Sequence, residues 1–407
     1  MTQMISVAAL QLLLICAGGA VSGVATTSAA DGRSLYIGSI TNASILRFGL
    51  KGSLIAAAPT PTRCPPSKKR SWQALHPTLP VLYSADGGAA QASAWALPDL
   101  KPINQVAIGA GPVLVLALPA AGGGATVLTA DYGAGAITVA ATDAASGALG
   151  STATINHMGR SRCKRPIDPN DRQKSPHPHG IFVLPSDPSF VFVPDLGLDR
   201  LYIYRLQGGA LTPNAPQPFA ETALCSGPRH LVFSANEKFV VLVHEISNEL
   251  SVWTWDAEAA TLRQVGQPAS TLPPNSGWKY CVAANYTASK CTKAAEVRLL
   301  PLSEATSAVY ASNRGAQSVR LFHLDEATGA LAAVAIYDNL KWPRSFAVLP
   351  ADEAGSNPLV VVACCACGPG DSGQGTAVVF EADAGSGKLT RRSSAPAPNC
   401  SAVLLLE

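Results

Sequence analysis

Seven times along its 407 residues the chain returns to one kind of short apolar segment. The copies are LYIG at Leu35, VLYSAD at Val81, TVLTADY at Thr126, FVFVPD at Phe190, FVVLVHE at Phe239, AVYASNR at Ala308 and LVVVACC at Leu359. Their starts lie 46, 45, 64, 49, 69 and 51 residues apart, close to the ~40–50 residues of a repeat built from four short strands. Both long intervals contain an insertion, over roughly 151–176 and 271–296. A turn and a second strand follow each copy: ILRFGL, ASAWAL, AITVAAT, RLYIYRL, LSVWTW, SVRLFHL and AVVFEA. Each pair reads as a hairpin.

Three of these second strands run into one tight-turn phrase, DAASGAL, DEATGAL and DAGSGKL, in which glycine supplies a positive φ before an outer strand. Ahead of most copies stands a further strand tied to proline turns, as in PHGIFVLPSDPS, PRHLVFSANEK and PRSFAVLPADE. That makes four strands per unit. The first copy lacks this inner strand, whereas the chain ends in CSAVLLLE, an apolar strand with no hairpin of its own. Pairing the two would complete a seventh unit and close a ring with few exposed strand edges. The expectation is an all-β chain forming a single seven-bladed β-propeller over residues 31–407, its ring closed by N- and C-terminal strands.

The 35 Gly and 31 Pro fit such a turn-rich architecture, and 47% hydrophobic against 14% charged residues excludes a disordered chain. A net charge of +3 gives no case for nucleic acid, which leaves small molecules as the expected partners. Residues 1–30 begin with an apolar run around Val7 to Ala17 followed by small residues, the layout of a secretory signal. Its removal leaves a chain expected to be extracellular, because no later segment offers the ~18 apolar residues of a membrane helix. Of ten cysteines, Cys16 lies in the signal, and the remaining nine are expected to be mostly disulfides with at least one unpaired. Cys281 and Cys291, flanking CVAANYTASKC, are the best local pair. The cluster Cys364, Cys365 and Cys367 lacks zinc-ribbon spacing and reads as disulfide or buried thiol. Asn42, Asn285 and Asn399 are candidate glycosylation sites.

Several phrases fall at equivalent points of successive units: HPHG at His177, VPDLGLDRLYIYRL at Val193, GPRHLVF at Gly227, VHE at Val243, SNRGAQSVRLFHLDEATGAL at Ser312 and PRSFAVLP at Pro343. PHG, PRH and PRS open innermost strands, while HE and NRG close the next ones. In an antiparallel blade those positions share one end, so His179, Arg229, Glu245, Arg314 and Arg344 should converge on one mouth of the central channel, with His177 beside them. Arginines there suit a carboxylate or phosphate, because the guanidinium fork pairs bidentately with oxyanions. In order and placement the set resembles the seven-bladed lactonase family of propeller-type 6-phosphogluconolactonases and fungal 3-carboxy-cis,cis-muconate cyclase. The resemblance implies that His179, Arg229, Glu245 and Arg314 are the active-site residues, acting without a cofactor on an anionic small molecule. Either lactone hydrolysis or muconate cycloisomerisation would use the same acid, base and anion clamps; a non-enzymatic secreted binding module is the alternative.

Other readings stay open for single residues. Glu245 beside arginines also fits a structural ion pair. His177 and His179 at period two could share a metal, but Pro178 lies between them and no third ligand is evident, so no metal is expected. Asp195 and Asp199 in PDLGLDR read as hairpin-turn acceptors, and GSGKL at Gly385 as a turn. The basic stretch GRSRCKRPIDPNDRQK from Gly159 to Lys174 is either a solvated loop or a positive rim. Ala-Asp in TADYGAG and Cys-Cys in VVACCACG depart from the family's phrase, so two units should line the mouth differently.

Overall fold

A strand buried on both faces needs no polar alternation, and the recurring apolar segments are such strands: Val81–Asp86, Phe190–Asp195, Phe239–His244 and Leu359–Cys364 are buried along their whole length. The computed structural model describes residues 33–39, 44–51, 54–55, 60–63, 70–164, 172–280, 290–351, 356–365, 374–397 and 400–406. The candidate signal over residues 1–30 lies outside them, as do Asn42, Asn285, Asn399 and Cys281.

The described residues are all-β apart from one short 3-10 turn; seven antiparallel sheets are arranged as a β-propeller, and a two-stranded parallel ladder, Lys279–Tyr280 with Cys291–Thr292, lies in the second insertion. Blade 2 is Arg70–Leu75, Val81–Asp86, Gln91–Ala96 and Lys101–Ala107, and blade 3 is Pro112–Pro119, Ala125–Asp131, Ala136–Thr142 and Leu149–Asn156. In blade 4, Phe182–Val183, Phe190–Asp195 and Arg200–Gln207 carry a divided outer edge, Ala210–Pro213 and Phe219–Glu221. Blade 5 comprises Pro228–Phe233, Phe239–His244, Glu249–Asp256 and Thr261–Ser270. Blade 6 comprises Ala294–Pro301, Thr306–Asn313, Ser318–Asp325 and Leu331–Tyr337, and blade 7 Pro343–Leu349, Leu359–Cys364, Thr376–Ala382 and Leu389–Pro396. Blade 1 joins the chain ends: Arg33–Ser39 pairs on one side with Ser44–Lys51 and on the other with Cys400–Leu406. Leu149–Asn156 completes blade 3, so the first insertion begins after Asn156 rather than at Ser151.

Apolar clusters span neighbouring blades and bind the sheets face to face. Phe192, Leu201 and Ile203 of blade 4 pack with Phe233, Leu242 and Trp255 of blade 5, and Val241 and Val243 of blade 5 pack with Val297 and Val309 of blade 6. Outer strands face water, as the mostly exposed Leu149–Asn156 illustrates. The repeated turn phrase is itself an inter-blade contact: Tyr83 Oη donates to the Gly147 carbonyl at 2.8 Å, and Tyr310 Oη to that of Gly387 at 2.6 Å. Both glycines have positive φ (69° and 66°), and a Cβ on Gly387 would lie 2.6 Å from Ala308 Cβ. Only glycine meets both demands.

Candidate active site

All seven blades share one irregularity where the innermost strand begins. In blade 5 Pro228 pairs with His244 and His230 with Val243, which leaves Arg229 as an extra residue. Arg344 occupies the same place between Pro343 and Ser345. In blade 4 an isolated bridge joins Pro178 to Asp195 ahead of the short strand Phe182–Val183, and His179 follows Pro178 as Arg229 follows Pro228. Equivalent shifts occur in blades 1, 2, 3 and 6. A bulge turns its side chain away from the ladder, and here it aims Arg229 at the mouth. The facing position is the residue just after the second strand. Glu245 and Arg314 hold it in blades 5 and 6, each anchored by its own N–H, to the carbonyls of Gly227 (2.8 Å) and Lys293 (2.9 Å).

The preceding residue keeps the hairpin in place. Asp131 Oδ2 accepts from Thr138 Oγ1 at 2.5 Å, and His244 Nε2 lies 2.7 Å from Ser251 Oγ while its Nδ1 lies 3.0 Å from Ser226 Oγ. Burial pushes the His244 pKa down to about 3 and that of Asp131 up to about 6. In blades 3, 5 and 6 the repeat therefore places a structural polar residue, Asp131, His244 or Asn313, beside the mouth residue.

Glu245 is the centre of the site. Its Oε2 receives Arg229 Nε at 3.0 Å and Arg314 Nη2 at 2.8 Å, and lies 4.0 Å from His179 Nε2; its Oε1 receives Arg172. Burial alone would raise this carboxyl, but Arg314, Arg172 and Arg229 outweigh it and hold the pKa well below the ordinary 4.5. Burial and Arg314 lower Arg229 to about 9. His179 is driven well below 6.5 by burial, then by Arg229, His230 and Arg344, and its Nδ1 meets no hydrogen-bond partner among the described residues. The imidazole is neutral at neutral pH and presents an unused nitrogen. Arg229 and Arg314 are further fixed by the carbonyls of Ala295 and Ala294.

A second polar layer fills the channel beneath. His230 Nδ1 lies 3.0 Å from Glu296 Oε1, which also pairs with Arg298 Nη1 at 3.1 Å, while Ser345 Oγ donates to Glu296 Oε2 at 3.3 Å. Trp72 meets His230 edge-on at 5.4 Å, and His179 stands 5.2 Å above the same ring. Burial lowers His230 to about 4, and although burial opposes it, Arg298 and His230 bring Glu296 to about 2. This layer fixes the floor beneath His179.

Both insertions reach the mouth. From the first, Arg172 meets Glu245, and its neighbour Gln173 donates to the Leu196 carbonyl at 3.0 Å and to Asp199 Oδ1 at 2.8 Å. Asp199 also accepts the N–H groups of Cys225, Ser226 and Gly227, so one carboxylate ties the base of Arg172 to the turn preceding Arg229. A disulfide between Cys163 and Cys225, with Cα atoms 5.0 Å apart, joins the same two segments. From the second insertion, the Tyr280 ring has the Arg172 guanidinium 5.6 Å and Lys293 Nζ 5.5 Å from its centroid.

The structure thus brings His179, Glu245, Arg229 and Arg314 together, with Arg344 near enough to act on His179 and Arg229 electrostatically. His177 turns aside: its Nδ1 lies 2.7 Å from the Tyr132 carbonyl and its ring stacks on Tyr132 at 4.3 Å, whereas His179 meets Tyr132 edge-on at 5.5 Å. Asp195 accepts the N–H groups of His177, Gly197 and Leu198 and pairs with His157 at 2.6 Å. Asp195 and Asp199 are both turn acceptors. The basic stretch divides: Arg162 pairs with Glu221 at the surface while Arg172 enters the mouth. Cys364 is a free buried thiol pushed up to about 12 by burial, whereas Cys291 and Cys365 each take part in a separate disulfide. Sequence reasoning missed Tyr132, which follows Asp131 as Glu245 follows His244, and it missed His230 and Glu296. The repeat register alone could have found Tyr132.

Seven radial sheets with an arginine-rich mouth at the inner-strand bulges define a β-propeller with a polar central site. Residues 34–405 match the family described as lactonase, 7-bladed beta-propeller, and the chain belongs to that family. It is 28% identical over 278 residues to a 6-phosphogluconolactonase of Bacillus subtilis (strain 168), an alignment covering 67% of this chain and 68% of that protein. A Staphylococcus epidermidis relative is 30% identical over 243 residues, covering 59% of this chain and 61% of its own length. Among solved structures, the periplasmic gluconolactonase of Pseudomonas aeruginosa superposes with a TM-score of 0.73 at 22% identity, over 93% of this chain and 99% of the other. A Lactobacillus plantarum protein gives 0.73 at 23% identity, over 92% and 100%. These two show the fold.

Proposed function

We propose that this protein hydrolyses the lactone ring of an anionic sugar acid by acid–base chemistry carried by its own side chains. The observation that carries the reading is the convergence of three arginines on the single carboxylate of Glu245. Buried cations in excess of their counter-charge are costly, and an anionic ligand relieves that cost. The relatives named as lactonases, one of them acting on a phosphogluconolactone by its name, supply the reaction class.

In this reading His179 is the base. Its Nδ1 takes a proton from a water whose oxygen attacks the lactone carbonyl carbon, and arginine charge at the mouth stabilises the oxyanion. The ring C–O bond then breaks and the proton passes from His179 to the departing ring oxygen, giving the hydroxy acid. Burial is the larger cause of the depressed His179 pKa, and Arg229 and Arg344 add to it; negative charge brought to the mouth by the substrate offsets the arginine part and makes the imidazole a stronger base. Glu245, held ionised by its three partners, orients the guanidinium groups rather than moving the proton. The candidate signal, together with the Cys163–Cys225 disulfide, supports export to an oxidising compartment. N-terminal sequencing of protein recovered from the medium tests export, and an intact Met1 on a cytosolic pool counts against it.

The purified protein should open 6-phosphoglucono-1,5-lactone faster than the neutral glucono-1,5-lactone, with alkali uptake as the readout. His179→Gln should lower kcat by ~10²–10⁴-fold with KM little changed. No turnover of either lactone, or full activity in a folded His179→Gln protein, rejects the assignment.

A further inference from the structure

Arg172 differs from the other two arginines on Glu245 in origin, in the oxygen it takes and in exposure. It comes from the insertion between blades 3 and 4, and it meets Oε1, whereas Arg229 and Arg314 both meet Oε2. Its side chain keeps 18% of its surface exposed against 2% and 6% for theirs. Releasing it would leave the buried Oε2 pairs intact. Its base is nevertheless fixed, because Gln173 holds the Leu196 carbonyl and Asp199. The Tyr280 ring lies 5.6 Å from the Arg172 guanidinium and 5.5 Å from Lys293 Nζ, so what enters past Arg172 meets an aromatic ring with two cations against it.

We propose that Arg172 reads the charge of the substrate: on binding it exchanges Glu245 Oε1 for an oxyanion of the substrate, a phosphate monoester or a carboxylate. The exchange swaps one charge-assisted pair for another, so it costs little when the substrate carries the anion and has no counterpart when the substrate is neutral. It also uncovers Glu245 Oε1 as an acceptor for a substrate hydroxyl. Arg172 is thus a specificity-determining residue, and this assignment rests on the lactonase reading.

The experiment compares wild type, Arg172→Met and Arg172→Lys on three substrates: 6-phosphoglucono-1,5-lactone, glucaro-1,4-lactone and glucono-1,5-lactone. The first carries a phosphate, the second a carboxylate and the third no charge. Losing the fork should raise KM for one or both anionic lactones by roughly 10–100-fold, the worth of a hydrogen bond to a charged group, with an intermediate effect for Arg172→Lys. Turnover of the neutral lactone should fall less than that of the responding anionic lactone, so that the anionic-to-neutral ratio of kcat/KM drops by roughly 10-fold or more. The substrate that responds identifies which anion Arg172 holds. Equal losses on all three lactones, or no change on any, overturn the inference. If wild type opens none of them, the lactonase reading fails and calorimetry with inorganic phosphate and 6-phosphogluconate decides the matter. Binding that weakens about tenfold or more in Arg172→Met sustains the role of Arg172, whereas absent or unchanged binding removes it. Thermal unfolding of each variant separates lost recognition from lost structure.

Discussion

Glu245→Gln removes one negative charge and leaves three guanidinium groups facing a neutral amide. Two of them, on Arg229 and Arg314, have side chains only 2% and 6% exposed and cannot turn to water. Removing one partner of a buried ion pair costs about 3–5 kcal/mol. The amide keeps one carbonyl acceptor and Arg172 can reach solvent, so the lower end, about 3 kcal/mol, is expected. Equilibrium urea unfolding at neutral pH measures it. Adding inorganic phosphate should stabilise the variant more than wild type, because the anion restores the missing charge; at a hundred times its Kd the gain is about 2.7 kcal/mol. The sign with pH follows from a carboxyl held well below 4.5: its contribution is complete above that value and fades as acid approaches the depressed folded pKa. The gap between wild type and variant should therefore hold above pH 4.5 and narrow below it. A Glu245→Gln protein as stable as wild type without phosphate, or stabilised no more than wild type by phosphate, would refute the charge-surplus argument.

His244, neutral between two serine hydroxyls with a folded pKa of about 3, should cost stability as pH falls from 6.5 toward 3, because the unfolded imidazole takes up a proton that the folded one refuses. His244→Asn, which copies Asn313 at the same point of blade 6, should remove up to about 5 kcal/mol of that decline; an unchanged slope in urea titrations at neutral and acid pH would rule out His244 as its source. Replacing both Cys163 and Cys225 by Ser opens a link across a sequence separation of 62 and should cost up to about 4 kcal/mol in denaturant unfolding. Tyr310→Phe loses the donor to the Gly387 carbonyl and should cost about 1–2 kcal/mol by the same measurement, with no change in catalytic constants.

The sequence showed most plainly the parts of the fold whose burial is two-sided. FVVLV and LVVVAC are apolar throughout because a sheet presses on each face, whereas outer strands such as Lys101–Ala107 are largely exposed and carry little pattern. The inner strands were visible where proline marks their start, at Pro178, Pro228 and Pro343, and those prolines also delivered His179, Arg229 and Arg344. Blade 6 opens on Ala294–Ala295–Glu296 without proline, so Glu296 and its partner His230 escaped notice although they form the channel floor. Arg172 could not be separated from its basic neighbours because its place depends on Gln173 gripping Asp199, a contact made only in the folded chain. The Cys163–Cys225 pairing was hidden for a similar reason: loop entropy favours short spacings, while the fold brings together two ends of a long one.

The extra residue in every inner strand separates two tasks that most sheets combine. Because Arg229, Arg344 and their counterparts stand outside the regular ladder, replacing one leaves the strand pairing on either side of it in register, although Arg229 also holds the Ala295 carbonyl of blade 6. Val113 in blade 3 and Ala295 in blade 6 hold the same place with small apolar side chains, so the propeller carries mouth positions not committed to charge. A descendant of this chain could acquire a new ligand preference at those positions while folding as before, and selection for stability and selection for substrate would then act on different residues.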